Sequence, residues 1–202
     1  MNCTNMSTHE PDALDQADMA RLVTGHEPAL NDLMERHAGV LFGFLCRFIG
    51  DEDAANDLAQ ETFVRVYQHR TDFKEGMRFS SWLFTIGGNL ARNHLRARSR
   101  RPEVPLESGT DEGCGNLADS LPAAGSTPDE QAARREQQDA VRRAVAELPD
   151  DLREATVLCE LEDRTVAEVA SILDTTVKAV ESRLYRARQQ LRRRLTRWLA
   201  VT

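Results

Sequence analysis

The sequence predicts an all-α protein of two small modules, a three- to four-helix bundle and a helix-turn-helix unit, joined by a flexible acidic linker. Three observations predict it. Apolar residues recur at steps of three and four on both sides of residues 102–130, and that stretch has no such period. It is instead punctuated by Pro102, Pro105, Pro122 and Pro128 and by Gly109, Gly113, Gly115 and Gly125. The aromatic share is 5%, low for a sheet core, and 202 residues leave room for two small cores. The expected organisation is a flexible N-terminus over 1–17, a first module over 18–101, the linker over 102–130 and a second module over 131–202.

The first helix is expected over 27–49, with Pro28 tolerated in its first turn. Its inward stripe is Leu30, Leu33, Met34, His37, Leu41, Phe44, Leu45 and Phe48, and Gly50 ends it. A second helix opens after Asp51 with acids in its first turn, where the macrodipole favours them, and runs through Leu58, Phe63, Val66 and Tyr67 to about Arg70. After a polar loop a third begins near Ser80 or Ser81, either of which can cap it. It continues through Trp82, Leu83, Ile86, Leu90 and Leu95 toward Arg98.

Beyond the linker, residues 129–148 form a charged helix, and Pro149 starts another with the inward stripe Leu152, Ala155, Leu158 and Leu161. Thr165-Val-Ala-Glu168 is a capping box opening a short helix that carries Val166, Val169, Ala170 and Leu173. Asp174-Thr175-Thr176 interrupts it before the last helix, which is expected to bury Val177, Val180, Leu184, Ala187, Leu191 and Leu195. Glu181, Ser182, Tyr185, Arg186 and Gln189 then lie on or near the opposite side.

Charge narrows the function. A net charge of −7 excludes a general coat for nucleic acid, so any basic surface is local. The linker carries Glu103, Glu107, Asp111, Glu112, Asp119, Asp129 and Glu130 with no Lys or Arg, an acidic tether whose like charges keep it extended. Cys3, Cys46, Cys114 and Cys159 form no C-x-x-C pair, so no metal or cofactor is expected. Residues 40–46, the longest strongly apolar stretch, are too few to span a bilayer, and the first residues lack an apolar signal core. A cytoplasmic protein without membrane insertion is expected. The sequence has no H-E-x-x-H, nucleophile elbow or glycine-rich phosphate loop, so neither catalysis nor a small-molecule substrate is expected.

Two basic surfaces stand out. Residues 183–197 hold seven arginines and no acid, beside a helix-turn-helix whose second helix can lie in a major groove. Between Glu75 and Glu103 there are Arg78, Arg92, Arg96, Arg98, Arg100 and Arg101 near Phe79, Trp82 and Phe84, a basic and aromatic set suited to unpaired bases. The second helix has the opposite character, with Asp51, Glu52, Asp53, Asp57, Gln60 and Glu61, and an acidic face of this kind suits a protein partner.

Three motifs in order, Asp53-Ala-Ala-Asn-Asp-Leu-Ala-Gln-Glu-Thr-Phe-Val-Arg-Val-Tyr67, Phe79-Ser-Ser-Trp-Leu-Phe-Thr-Ile-Gly-Gly-Asn89 and Ser182-Arg-Leu-Tyr-Arg-Ala-Arg188, resemble regions 2 and 4 of extracytoplasmic-function sigma factors of the sigma-70 family. The resemblance covers about 18–101 and 139–195. It implies an initiation factor that binds core RNA polymerase and promoter DNA. Asp53, Asp57, Gln60 and Glu61 would dock on the beta-prime clamp coiled coil, and the second module would meet the beta flap. Lys74, Arg78, Phe79, Trp82, Asn89, Arg92, Asn93 and Arg96 would hold the opened strand of the −10 element. Lys178, Glu181, Ser182, Arg183, Tyr185, Arg186 and Arg188 would contact the −35 duplex. The linker would thread toward the polymerase cleft, and an anti-sigma factor would regulate the chain.

The sequence departs from the family pattern at three places. Glu181 replaces a frequent basic residue and could accept from a cytosine amino group, while Ala179 replaces a frequent threonine. Gly87-Gly88 replaces a bulkier pair and is expected to loosen the third helix, each glycine costing about 1 kcal/mol. The rival reading is a helix-turn-helix regulator that binds operators without polymerase; it explains the last helix and leaves the acidic helix and the basic aromatic helix without roles.

Overall fold

The computed structural model describes residues 9–74, 76–100 and 128–199, all helix, turn or connecting loop, without a strand among them. The chain divides into two compact units, Met1–Leu45 with Asp53–Arg101 and Cys46–Glu52 with Pro102–Thr202. The linker expected over 102–130 lies outside the described residues up to 127, and its last three positions already belong to a helix.

The first unit is built from α1 (His9–Val23), α2 (Pro28–Ile49) as far as Leu45, α3 (Glu52–Gln68) from Asp53, a 3-10 turn (Arg70–Asp72) and α4 (Phe79–Arg100). Met19, Leu22, Leu33, Leu41, Phe44, Phe63, Val66, Phe79, Leu83, Phe84 and Ala91 make the core. Phe44 and Phe84 meet edge to face at 5.2 Å. At +75° the φ of Gly50 stops α2, a backbone angle that glycine adopts without strain.

α1 corrects the expectation of a flexible stretch through residue 17, since the helix begins at His9. Its inward positions are Asp15, Asp18, Met19 and Leu22, at the i, i+3, i+4, i+7 spacing of one helix face. Asp15 is 1% exposed and Asp18 7%. Both carboxylates are satisfied by α2. Arg36 gives Nε to Asp15 at 3.0 Å and Nη2 to Asp18 at 2.6 Å, and His37 Nε2 lies 2.8 Å from the second Asp15 oxygen. Burial works against the Arg36 charge, and the bonds to Asp18 and Asp15 overcome it, so its pKa is raised.

Two further expectations about this unit are corrected. α4 begins at Phe79, so Ser80 and Ser81 sit inside its first turn and do not cap it; the Arg78 carbonyl accepts the Trp82 N–H at 3.1 Å. The Gly87-Gly88 pair does not interrupt α4: the helix runs continuously through both residues, and both are buried. A Cβ on Gly87 would stand 2.9 Å from Leu41 Cδ1 on α2 and 3.4 Å from Thr62 Oγ1 on α3.

The second unit contains α5 (Pro128–Ala146), α6 (Asp150–Thr156), a π-helical turn (Val157–Leu161), α7 (Val166–Ile172) and α8 (Val177–Leu199). Leu148, Leu152, Ala155, Val157, Leu158, Val169, Ile172, Val180, Leu184 and Ala187 are buried, and Leu191 packs on Leu148, Leu152 and Ala187. The stripe expected on α6 fails at Leu161, which is 44% exposed: the wider π turn rotates it out of the phase of Leu152 and Leu158. Val177, expected to be buried, is also exposed, because α8 starts there, ahead of the turn that packs through Val180.

The capping box forms as the sequence predicts. Thr165 Oγ1 accepts the Glu168 N–H at 3.3 Å, and Glu168 Oε2 accepts the Thr165 N–H at 2.9 Å. Asp174 takes φ +48°, which its short polar side chain tolerates, and reverses the chain between α7 and α8. The Thr176 hydroxyl then accepts the Ala179 N–H at 3.2 Å and caps α8.

Candidate nucleic-acid interface

Val180, Leu184 and Ala187 fix the roll of α8 by turning into the core. That roll leaves Lys178, Glu181, Ser182, Tyr185, Arg186 and Arg188 exposed and Arg183 half-buried, so the expected −35 contacts share an accessible side. Tyr185 is 66% exposed, a large ring in water on a helix that buries Val180, Leu184 and Ala187. Gln189 donates to its hydroxyl at 3.3 Å. The arginines on this helix divide by partner. Arg186 lies 3.6 Å from Asp151, and Arg188 lies 2.6 Å from Glu160. Arg194 pairs with Glu147 at 3.0 Å and fastens α8 to α5, a structural use that its place in the run does not reveal. Cys159, beside this surface, has a pKa raised by burial and then by Glu160, so its thiol is not an activated one.

In the first unit the candidate strand-binding set sits on α4 and the loop before it. Lys74, Arg78, Asn89, Asn93 and Arg96 are exposed, and Arg92 is half-buried with its guanidinium donating to the Asn89 side chain. Trp82, Asn89, Asn93 and Arg96 follow one another at steps of seven, four and three residues and share a face. Phe79 does not belong to this set. It is 0% exposed, held by His37 at 5.1 Å and by Phe73 and Trp82, so its ring is core and cannot stack on a base. Phe73 and Trp82, half-buried and 5.3 Å apart, are the aromatic pair that borders solvent.

On α3, Asp53, Asp57 and Gln60 are exposed and Glu61 is half-buried, in one stripe. The stripe ends on Val64, 47% exposed, an apolar residue that an acidic pattern does not signal. Glu61 is paired along the helix with Arg65 at 2.8 Å. Among the described residues no helix is long and apolar enough to cross a membrane, and no group of three or more His, Cys, Asp or Glu side chains is arranged to hold a metal.

Comparison with known proteins agrees with this layout. Residues 33–101 match the family model of sigma-70 region 2, and residues 138–191 match that of sigma-70 region 4. The chain is 32% identical over 181 residues to the RNA polymerase sigma-H factor of Pseudomonas aeruginosa, covering 88% of this chain and 91% of that one. It is 30% identical over 184 residues to the ECF RNA polymerase sigma-E factor of Haemophilus influenzae, covering 90% and 95%. Among solved structures, CnrH in complex with the cytosolic domain of CnrY superposes with a TM-score of 0.63 at 28% identity over 91% of this chain and 97% of that one. RpoE of Bartonella quintana, in complex with the anti-sigma factor NepR, gives a TM-score of 0.62 at 25% identity over 82% and 96%.

Proposed function

Because the chain belongs to the extracytoplasmic-function branch of the sigma-70 family, we propose that its two units divide promoter recognition between strand capture and duplex reading. The chain is an RNA polymerase sigma factor. α8 enters the major groove of the −35 element, where Ser182, Tyr185 and Arg186 meet base edges while Lys178, Arg183 and Arg188 meet phosphate. Glu181, exposed on the same side, takes a cytosine amino group. Trp82, Asn89, Arg92, Asn93 and Arg96 hold the opened −10 strand, with the ring stacking on a base and the cations along the backbone. Asp53, Asp57, Gln60 and Glu61 dock on the clamp coiled coil of polymerase, and the second unit meets the flap. Bond-making stays with the polymerase, so this chain acts by binding and works in the cytoplasm where polymerase is.

The observation that carries the reading is the cation-rich outward side of α8 behind a capped helix-turn-helix, in a chain of net charge −7. The structural neighbours bound to CnrY and to NepR support a separate anti-sigma protein as the regulator of this chain. A pull-down of core polymerase with the full-length chain, followed by run-off transcription from a promoter library, tests the proposal. Polymerase capture with template-selective transcripts is expected. Duplex binding without polymerase capture would instead indicate an operator-binding regulator.

A further inference from the structure

We propose that α1 sets the loop that receives the opened promoter strand, with Asp12 and Gln16 as its positioning residues. The inference rests on the strand-holding role of α4 proposed above. α1 precedes the stretch matched to sigma-70 region 2, which begins at residue 33. Asp12 Oδ2 lies 3.0 Å from Arg78 Nε, and one turn along the helix the Gln16 amide donates to the Met77 carbonyl. Met77 and Arg78 are the last two residues before α4, just after Gly76 turns the chain at φ +83°. The Arg78 carbonyl also receives the Trp82 N–H, so a displacement at 77–78 moves the start of the helix that carries Trp82.

α1 is firm enough to act as this reference. Asp15 and Asp18 are buried against Arg36, and Asp15 holds His37, whose ring lies 5.1 Å from that of Phe79, the first residue of α4. α1 therefore supports α4 from inside through His37 and from its entry loop through Asp12 and Gln16. Arg78 then works as the fastener of the loop, held by a carboxylate of its own chain, and not as a phosphate ligand. The two roles predict opposite results when the charges are exchanged. A fastener still functions with the cation on position 12 and the acid on position 78, and a phosphate ligand does not.

The experiment uses the full chain on core polymerase with a pool of duplexes that carry a pre-opened bubble, randomised on one strand, and sequences the bound fraction. Asp12→Arg or Arg78→Asp alone should flatten the base preferences about tenfold, and the double exchange should restore them to within about twofold. Gln16→Glu, which keeps the side-chain length and removes the donor, should flatten them about threefold. Melting temperatures taken on each variant separate a changed preference from a destabilised unit. A double exchange as flat as Arg78→Asp would mean that Arg78 touches DNA. Wild-type preferences in both Asp12→Arg and Gln16→Glu would remove α1 from strand recognition. A wild-type chain that selects no sequence at all would overturn the functional reading itself, and this inference with it.

Discussion

Arg188 on α8 reaches Glu160 in the π turn at 2.6 Å, with the Arg188 side chain 68% and the Glu160 side chain 42% exposed. A phosphate arriving at Arg188 competes with this carboxylate, and a base edge arriving at Arg186 competes with Asp151 at 3.6 Å. An exposed pair of this kind is worth up to about 1 kcal/mol, so the resting chain discounts its own affinity by a few-fold at each. Glu160→Gln should therefore tighten duplex binding by up to about fivefold, read by fluorescence anisotropy on a duplex selected by the chain. Weaker binding would show that Glu160 aims Arg188 at its contact instead of competing for it.

The buried carboxylate of Asp15 supports a stability prediction. Asp15→Ala would leave His37 without its partner and Arg36 with Asp18 alone, in a site where the lost carboxylate was 1% exposed. Removing one member of a buried ionic cluster costs about 3–5 kcal/mol, so a urea melt of the full chain should show the first unit unfolding markedly earlier. Asp18→Ala should cost less, because Arg36 would keep Asp15. Equal midpoints for Asp15→Ala and the wild type would mean that the cluster contributes nothing net.

That same cluster explains where the sequence is legible and where it is not. α2, α3, α4 and the capped helix-turn-helix announce themselves through apolar periods, Gly50, and Thr165 with Glu168. α1 hides because two of its four inward residues are aspartates: at Asp15, Asp18, Met19 and Leu22 the helical spacing is present while the hydrophobic signal is halved. Ion pairing with residues some 20 positions away satisfies those acids, and no local pattern encodes it. Phe79 illustrates the converse: an aromatic beside arginines suits a base, and only the packing of His37, Phe73 and Trp82 around it decides for the core. Leu161 is lost to the sequence for a third reason, since periodicity assumes α geometry and the π turn breaks its phase.

Gly87 looks like a weak point of α4 and is a point of contact. Replacing it with alanine would gain about 1 kcal/mol of helix propensity and place a methyl 2.9 Å from Leu41 Cδ1, the end of a side chain that is 0% exposed and would have to shift within the core. Overpacking of this kind costs about 1–3 kcal/mol, so Gly87→Ala should be net destabilising by about 1 kcal/mol in a denaturant melt. A gain in stability would mean that Leu41 and Thr62 can yield and that propensity decides.

The acidic stripe on α3 is the surface whose proposed role separates most cleanly from DNA binding. Asp57 and Glu61 lie one turn apart, with Gln60 between them and exposed Val64 at the end of the stripe, so a partner would meet carboxylates with an apolar contact next to them. Glu61 is spoken for by Arg65, but at 45% and 46% exposure that pair is weak enough to be exchanged for a partner's cation. Asp57→Lys with Glu61→Lys should lower polymerase association by at least about tenfold, because each reversal replaces an attraction with a repulsion across the contact. Val64→Ala should cost about 1 kcal/mol through lost apolar area, with little change in salt dependence. Neither change touches α8, so binding of the full chain to duplex DNA should be unaltered. Measured side by side, polymerase affinity that falls while duplex affinity holds would fix α3 as the docking face. Wild-type polymerase affinity in the charge-reversed chain would leave the stripe as a solvated helix start favoured by the macrodipole.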